Sequence, residues 1–507
     1  MDHVLKQEAL LSLRQLLPIG PKTIFFDPDV IDVINLIVDT KTLRQWQVEK
    51  FHILDNDPPS KFNKNIIYII KPSIKMCLQV SNYVKQLSHI IFVRHKNIQC
   101  ERIFEAAGIW RHLTISVLPI TFLPVPYSNV QGIISMENNG LRRTIVDHDN
   151  LPLLQAADAL MHLQDLFGII PVIQGIGYQS LFITKQLTQS TSYECSTIGR
   201  LIMIDRECDL VTPLLSPITY SGLIDKPPQD IVYKKLQHLN IYGIGKIMNE
   251  LLKKSDYVYR HYEKDIESGK ALIDMEKQYP QKLLIKHYTL VEKAIEKAKS
   301  NLTLELEQYL LLGEDLTFMP ELPKYDMLRL LYLHYLTGGK HFDKIVKKMI
   351  KHHGPTFIFD HLNFIEPMNW AIIQQQFSLL PINTQNDMAS VNEGYAPLSC
   401  RLVEHALLTP YKTFTRIKQG EIFQGWVKNS KVKKLKQPFF HVIQDFDFSV
   451  LDEDQMTDLS STILIFFVGG ITHAEIAALS FLQTLNPNKK IIIASTNIIK
   501  DFLQSFS

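Results

Sequence analysis

A chain of 507 residues, 46% hydrophobic and 21% charged, is too long for a single core and sets an expectation of about three or four domains. Lys and Arg total 54 against 52 Asp and Glu, and a net charge of +2 makes no field that would recruit nucleic acid or anionic lipid as the main partner. The five cysteines (Cys77, Cys100, Cys195, Cys208, Cys400) lack a C-x-x-C pair and leave one unpaired in any bridging scheme, which suits a reducing, cytosolic compartment.

The N-terminal stretch "MDHVLKQEALLSLRQLL" carries charges where a signal peptide would be apolar. "KTIFF" (22–26), "NIIYII" (65–70) and "HIIFV" (89–93) are apolar almost throughout, as strands covered on both faces must be, and "PSIKMCLQVSNYVKQL" (72–87) between them reads as a helix. The pattern predicts βαβ units and a first α/β domain over 1–122, closed by Pro124 and Pro126. A second α/β unit follows: helix 153–168 ending at a glycine, helix 177–187, and the buried strand "RLIMID" (200–205). From about 238 to 380 strand signals become scarce. Leu284, Tyr288, Val291, Ile295 and Ala298 recur at helical spacing, Ser300 and Asn301 break the run, and Leu302, Leu306 and Tyr309 rebuild an apolar face before Gly313, which predicts a helical hairpin over about 281–312. "TILIFFVGG" (462–470), "THAEIAALSFLQTL" (472–485) and "KKIIIAST" (489–496) form a last βαβ unit, too small to stand alone. It is expected to complete the sheet begun near 200, giving a second domain of 123–237 plus 456–507 with the helical 238–455 inserted. No run reaches the ~18 apolar residues of a membrane span, so membrane work is expected to pass through a partner.

Candidate chemistry is sparse. No G-x-x-x-x-G-K-[ST] is present, and "GIGYQS" (175–180) and "GIGK" (243–246) lack the third glycine, a clear preceding strand and a ribose-binding acid, so no nucleotide cofactor is expected. No H-E-x-x-H occurs, His352 and His353 point to different helix faces, and "DHDN" (147–150) lacks a calcium loop's glycine and distal acid, so no metal is expected. Gly469 and Gly470 turn the chain into a helix whose N-terminal donors Thr472 and Glu475 can satisfy as a capping box. "IMIDRECDLVTPLL" (202–215) crowds ionisable groups at a strand end, where an open α/β sheet usually places ligand chemistry. Cys208 sits amid Asp205, Glu207 and Asp209, whose charges oppose a thiolate. The stretch therefore reads as an anchor: Asp205 and Asp209 accept turn N–H groups, Arg206 pairs with either acid, Thr212-Pro213 starts the next segment, and the run to Tyr220 packs onward against another domain. No catalytic residue is assigned.

"LIMIDRECDLVTPLLSPITYSGLID", "LIFFVGGITHAEIAALSFL", "GYAPLSCRLVE" (394–404) and "KTLRQWQVEKFHIL" (41–54) together resemble the Sec/Munc (SM) family of SNARE-assembly chaperones, in its class C vacuolar protein sorting branch. The resemblance extends over nearly the whole chain. It implies an α/β, three-domain, arch-shaped SM fold: two parallel-sheet α/β domains with a mostly helical domain inserted into the second. It implies SNARE partners, syntaxin-type and R-type, held against the hairpin and in a cleft facing domain one, and a class C subunit numbered sixteen within HOPS or CORVET tethering complexes. It also implies attachment to late endosome and vacuole or lysosome membranes through those partners. The chain looks shorter than the family pattern after "GLIDKPP" and between about 405 and 460, which puts the loops there in doubt. On the hairpin, Lys286, Lys293, Glu296 and Lys297 point outward and are the SNARE-contact candidates; otherwise they keep the surface soluble. A purely architectural tether subunit without SNARE binding, and a nucleotide-dependent α/β enzyme, remain as alternatives.

Overall fold

A computed structural model describes residues 2–54, 65–84, 86–124, 130–132, 149–187, 197–224, 230–261, 281–301, 303–312, 322–338, 386–408, 415–416, 441–445 and 461–499, with isolated positions between them. Leu302, Gly313, His352, His353, the Tyr309 side chain, and Cys195 lie outside the described residues. The chain divides into two compact units: residues 1–126 with 131–138, and 127–130 with 139–507.

The first unit is built on parallel strands in the order β2-β1-β3-β4-β5: β1 (Lys22–Phe26), β2 (Val48–Ile53), β3 (Asn65–Ile70), β4 (Ser88–Val93) and β5 (Leu113–Leu118). Successive strand residues point to opposite faces, so a run apolar at every position feeds two cores. Ile24, Ile67 and Ile91 face the helices α1 (Asp2–Leu16), α2 (Ile31–Ile37) and α3 (Thr40–Gln45). Phe25, Tyr68 and Phe92 face α4 (Ile74–Tyr83) and α5 (Ile98–Ala106). Helix α4 is shorter than expected from 72–87: Ser73 caps it, accepting from the Met76 N–H, and Val84 leaves the helix in extended conformation.

In the second unit β6 (Val172–Ile176), β7 (Arg200–Asp205), β9 (Thr462–Val468) and β10 (Lys490–Ser495) run parallel in that order, and β8 (His441–Asp445) adds antiparallel outside β6. Strand β9 thus lies between β7 and β10, and every one of its residues from Ile463 on is buried. Helices α6 (Leu151–Phe167), α7 (Tyr178–Leu187), α14 (Leu398–Leu408) and α15 (His473–Leu485) belong to the same unit. The helical segments are α8 (Tyr220–Leu223), α9 (Ile231–Leu236), α10 (Ile241–His261), α11 (Gln281–Lys299), α12 (Thr303–Leu311) and α13 (Lys324–Leu336).

The helix pairing corrects the expected hairpin of 281–312. Helix α11 packs along α10, and α12 along α13. The buried seam of α11 is Leu284, His287, Val291, Ala294 and Ala298, meeting Ile241, Ile244 and Met248 of α10, with Tyr288 and Ile295 on its flank. Ser300 and Asn301 do end α11, but the turn sends the chain to a different neighbour. Among the described residues no helix is long and apolar enough to cross a membrane.

Candidate functional site

Strands β6, β7 and β9 end on one edge of the sheet, Ile176 beside Ile204 and Asp205 beside Val468, so three chain turns meet there. Two of them lead into the helices α7 and α15. Asp205 closes the N-terminus of α7, and Glu475, paired with Arg206, closes that of α15.

Asp205, fully buried, faces α7. Its carboxylate accepts the Gln179 N–H at 2.7 Å, the Ser180 N–H at 2.8 Å and the Ser180 hydroxyl. These are the donors that a dinucleotide-binding fold leaves for a phosphate. Burial pushes the Asp205 carboxyl up, to about 8, against the pull of those hydrogen bonds toward the charged form. Gly177, at φ +102°, makes the approach possible: a Cβ there would stand 2.0 Å from Asp205 Oδ2. The motif "GIGYQS" does follow a strand, β6, contrary to expectation, and its second glycine admits an internal carboxylate.

Arg206 points to the other face, and its partner differs from the one expected. It pairs with neither Asp205 nor, closely, the Asp209 carboxylate, which stands 3.9 Å away. Instead it makes a bidentate pair with Glu475, 2.9 and 2.8 Å, and donates from Nε and Nη2 to the Asp209 carbonyl and from Nη1 to the Gly470 carbonyl. Burial opposes the guanidinium charge, but the facing Glu475 and Asp209 raise its pKa above the ordinary value. Glu475 also accepts the Thr472 N–H at 2.8 Å, the Thr472 hydroxyl and the Ser399 hydroxyl, while Thr472 caps the Glu475 N–H. The capping box of α15 is therefore present, with Arg206 added to it. Gly470, at φ +105°, lies against Ile499, and Gly469 N–H donates to Thr496 Oγ1.

Asp209 takes the Thr212 N–H at 2.9 Å, the Thr212 hydroxyl at 2.6 Å and the Ser399 N–H at 3.1 Å. Because the Thr212 proton goes to Asp209, Tyr395 OH donates to Thr212 Oγ1 at 2.8 Å. Pro213 sits inside the 3-10 turn Thr212–Leu214 that follows. Residues 205–213, 395–399 and 470–475 thus share one buried network. Cys208 and Cys400 sit beside it, and burial first, then the surrounding carboxylates, push both thiols well above their ordinary pKa.

Tyr220 lies outside this loop, in α8. Its hydroxyl meets His287 Nδ1 at 2.7 Å, and His287 Nε2 meets Asp230 at 2.8 Å, where Asp230 also caps α9. Burial lowers the His287 pKa, outweighing the Asp230 hydrogen bond that raises it. A second clamp holds the α11–α12 turn. Glu307 accepts the Ser216 N–H at 2.8 Å and its hydroxyl at 2.7 Å, and Arg329 Nη1 reaches both Glu307 and the Leu214 carbonyl at 2.6 Å. On α11, Lys286, Lys293, Glu296 and Lys297 are exposed, and Lys297 Nζ also donates to the Leu223 carbonyl at 3.3 Å.

Residue-by-residue reading of the sequence missed Gly177, Ser399, Tyr395, His287, Glu307 and Arg329. Tyr395 and Ser399 do lie in a motif that carries the family resemblance. Gly177 lies in the G-x-G noted from the sequence, but its role, like that of Glu307, depends on a partner distant in sequence. Among the described residues no group of three His, Cys, Asp or Glu side chains is placed to hold a metal ion.

A parallel-sheet architecture with a split second sheet is the fold shared with solved Sec1/Munc18-class proteins. The Sec1 family profile matches residues 22–505, and the chain belongs to that family. Within it, the chain is similar to the vacuolar protein-sorting-associated protein 33 homolog of Arabidopsis thaliana, 24% identical over 95% of this chain and 92% of that protein. It is also similar to vacuolar protein sorting-associated protein 33A of Rattus norvegicus, 25% identical over 98% of this chain and 96% of that one. Among solved structures it is similar to the SM protein Vps45 in complex with the Qa SNARE Tlg2, TM-score 0.60 at 15% identity, covering 100% of this chain and 97% of that one. The Unc18–syntaxin 1 complex of Monosiga brevicollis gives a TM-score of 0.55 at 14% identity, covering 100% and 99%.

Proposed function

We propose that this chain is a non-enzymatic SNARE-binding protein of vesicle docking and fusion at endosomes and the vacuole or lysosome, acting as a subunit of a HOPS- or CORVET-like tether. The observation that carries the reading is the family match over residues 22–505, together with relatives named for vacuolar protein sorting. The solved relatives captured with a Qa SNARE and with syntaxin 1 support SNARE motifs as the ligand class. The junction supports the absence of catalysis: its carboxylates and guanidinium are committed to internal bonds, and its thiols are held protonated.

On this reading 1–122, 123–237 with 456–507, and 238–455 are the three domains, and a class C subunit numbered sixteen is the docking partner. The exposed side of α11, with Lys286, Lys293, Glu296 and Lys297, receives the SNARE helix. A SNARE motif orders only on binding, so a surface that holds one helical in advance lowers the entropic cost of later bundle assembly. Lysines at the rim of such a contact act mainly through association rate and salt dependence. Binding of syntaxin-type and R-type SNARE motifs to the full chain, compared with Lys293→Glu and Lys286→Glu variants of unchanged circular dichroism, tests this. The reading expects weaker, less salt-sensitive binding in the variants. Binding to the tether partner with none to any SNARE motif would leave the architectural role instead.

A further inference from the structure

Four polar atoms shut off from bulk water have no hydrogen-bond partner among the described residues, and they come from three segments that meet: Thr219 Oγ1, Ser221 Oγ, His238 Nδ1 and Asn392 Oδ1. Thr219 pairs with Asn240 in an antiparallel bridge, the Tyr220 N–H donates to the Leu239 carbonyl and the Ser221 N–H to the Gln237 carbonyl, both at 3.0 Å, so 219–221 lie beside 237–240. A Cβ on Gly222 would lie 3.2 Å from Thr219 Oγ1 and 3.4 Å from His473 Cβ, which places those two side chains together. Asn392 Nδ2 donates to the Ala474 carbonyl at 3.4 Å, beside His473, and Asn240 Nδ2 donates to the Val391 carbonyl at 3.3 Å, beside Asn392. The four residues therefore lie together where α8, the α9–α10 connection, the 3-10 turn Met388–Asn392 and the start of α15 meet.

We propose that this spot is a buried hydration site holding a small cluster of ordered waters that joins the α8–α10 segment to α15. Buried polar atoms in native proteins are almost always satisfied, and ordered water serves where side chains do not. Each of the four groups can bond to water: two hydroxyls that donate and accept, an amide oxygen that accepts, and an imidazole nitrogen. Their chemistry favours water over a metal: two hydroxyls, an amide oxygen and one imidazole nitrogen lack the thiolates, carboxylates and additional imidazoles that hold zinc. Burial, and then the neighbouring His473, lower His238 to about 4, so its ring enters the site neutral.

The test uses Thr219→Val, Ser221→Ala, their double variant and Thr219→Ser in the full chain, read as thermal midpoints. Hydration predicts that Val and Ala each lower the midpoint, that the double variant loses less than the sum because the waters are shared, and that Thr219→Ser, which keeps the hydroxyl, stays near wild type. A midpoint unchanged or raised by Thr219→Val marks dry, unsatisfied atoms and overturns the proposal, as does a Thr219→Ser loss equal to that of Val, or full additivity in the double. Zinc chloride is the last arm: a midpoint rise in wild type that is absent in His238→Ala assigns the spot to a metal and overturns the hydration site.

Discussion

Removing one side of the Arg206–Glu475 pair should damage the fold far more than removing both. Glu475→Leu strips the guanidinium of both charged bonds and leaves the Thr472 N–H and the Ser399 hydroxyl without their acceptor. Breaking a buried pair costs ~3–5 kcal/mol and losing a cap ~1 kcal/mol, so roughly 4–6 kcal/mol is expected, a large part of the ~5–15 kcal/mol that holds a typical protein folded. Arg206→Met falls at the lower end, ~3 kcal/mol, because Glu475 keeps three other donors. In Arg206→Met/Glu475→Leu no buried charge of the pair is stranded, and two apolar side chains of similar length replace it. The double variant should therefore sit closer to wild type than Glu475→Leu alone, which requires a coupling larger than the ~3 kcal/mol lost in Arg206→Met. Native-state hydrogen exchange of the β7 and β9 amides reads these losses inside the intact chain. A loss for Arg206→Met within the ~0.5 kcal/mol of a surface substitution, or additive single losses, would refute the argument.

Gly177→Ala should cost roughly 3 kcal/mol or more, since the new Cβ meets Asp205 Oδ2 at 2.0 Å and sits at φ +102°; faster exchange at the α7 N-terminal amides would report it, and an unchanged rate would count against the close approach. Iodoacetamide at pH 7.5 should leave Cys208 unmodified in the native chain and label it in denaturant, because burial and the flanking acids hold the thiol protonated; mass spectrometry of the Cys208 peptide decides. Arg329→Met should loosen the α11–α12 turn by ~1–3 kcal/mol, as Glu307 and the Leu214 carbonyl lose their donor, seen as faster exchange at the start of α12. The buried His287 has a folded pKa below the ordinary ~6.5. The unfolded chain then binds the proton that the folded chain resists, so this contribution is present above pH ~6.5 and falls away as the pH drops below it. His287→Gln should flatten the decline in thermal midpoint between pH 7.5 and 5.5, and an unchanged slope would deny His287 that role.

What the sequence made legible depended on whether the partner was local. The strands 22–26, 65–70, 200–205 and 462–468 are apolar at nearly every position, and a strand covered on both faces can be little else. Strand β2 hides because Glu49 and Lys50 are exposed at the sheet edge. Strand β6 hides because it buries Gln174, whose amide oxygen accepts from the Arg200 guanidinium. Thr472 and Glu475 stand three residues apart, so their cap is written in the text itself. Arg206 and Glu475 are separated by 269 residues, and no spacing rule reaches that far. The seam of α11 was misphased for a chemical reason: His287 is polar, so an apolar count passes over it to Tyr288, although its two ring nitrogens are satisfied inside the core.

The place that an open α/β sheet ordinarily gives to a ligand is occupied here by the protein's own polar side chains. At the carboxyl edge of the second sheet, the N-terminus of α7 holds Asp205 and that of α15 holds Glu475, so both helix N-termini meet an internal carboxyl group where a phosphate could otherwise bind. Arg206, which in an enzyme could have clamped such a phosphate, spans Glu475 and the carbonyls of Asp209 and Gly470. Opening this edge to a ligand would mean breaking bonds that join three segments far apart in the chain. A sheet closed in this way is stiff at the point where catalytic folds are open. It can hold α8 and the α11–α12 turn in fixed positions through Tyr220, Ser216 and Arg329. On the function proposed above, binding falls to exposed helix faces such as that of α11, which carries Lys286 and Lys293.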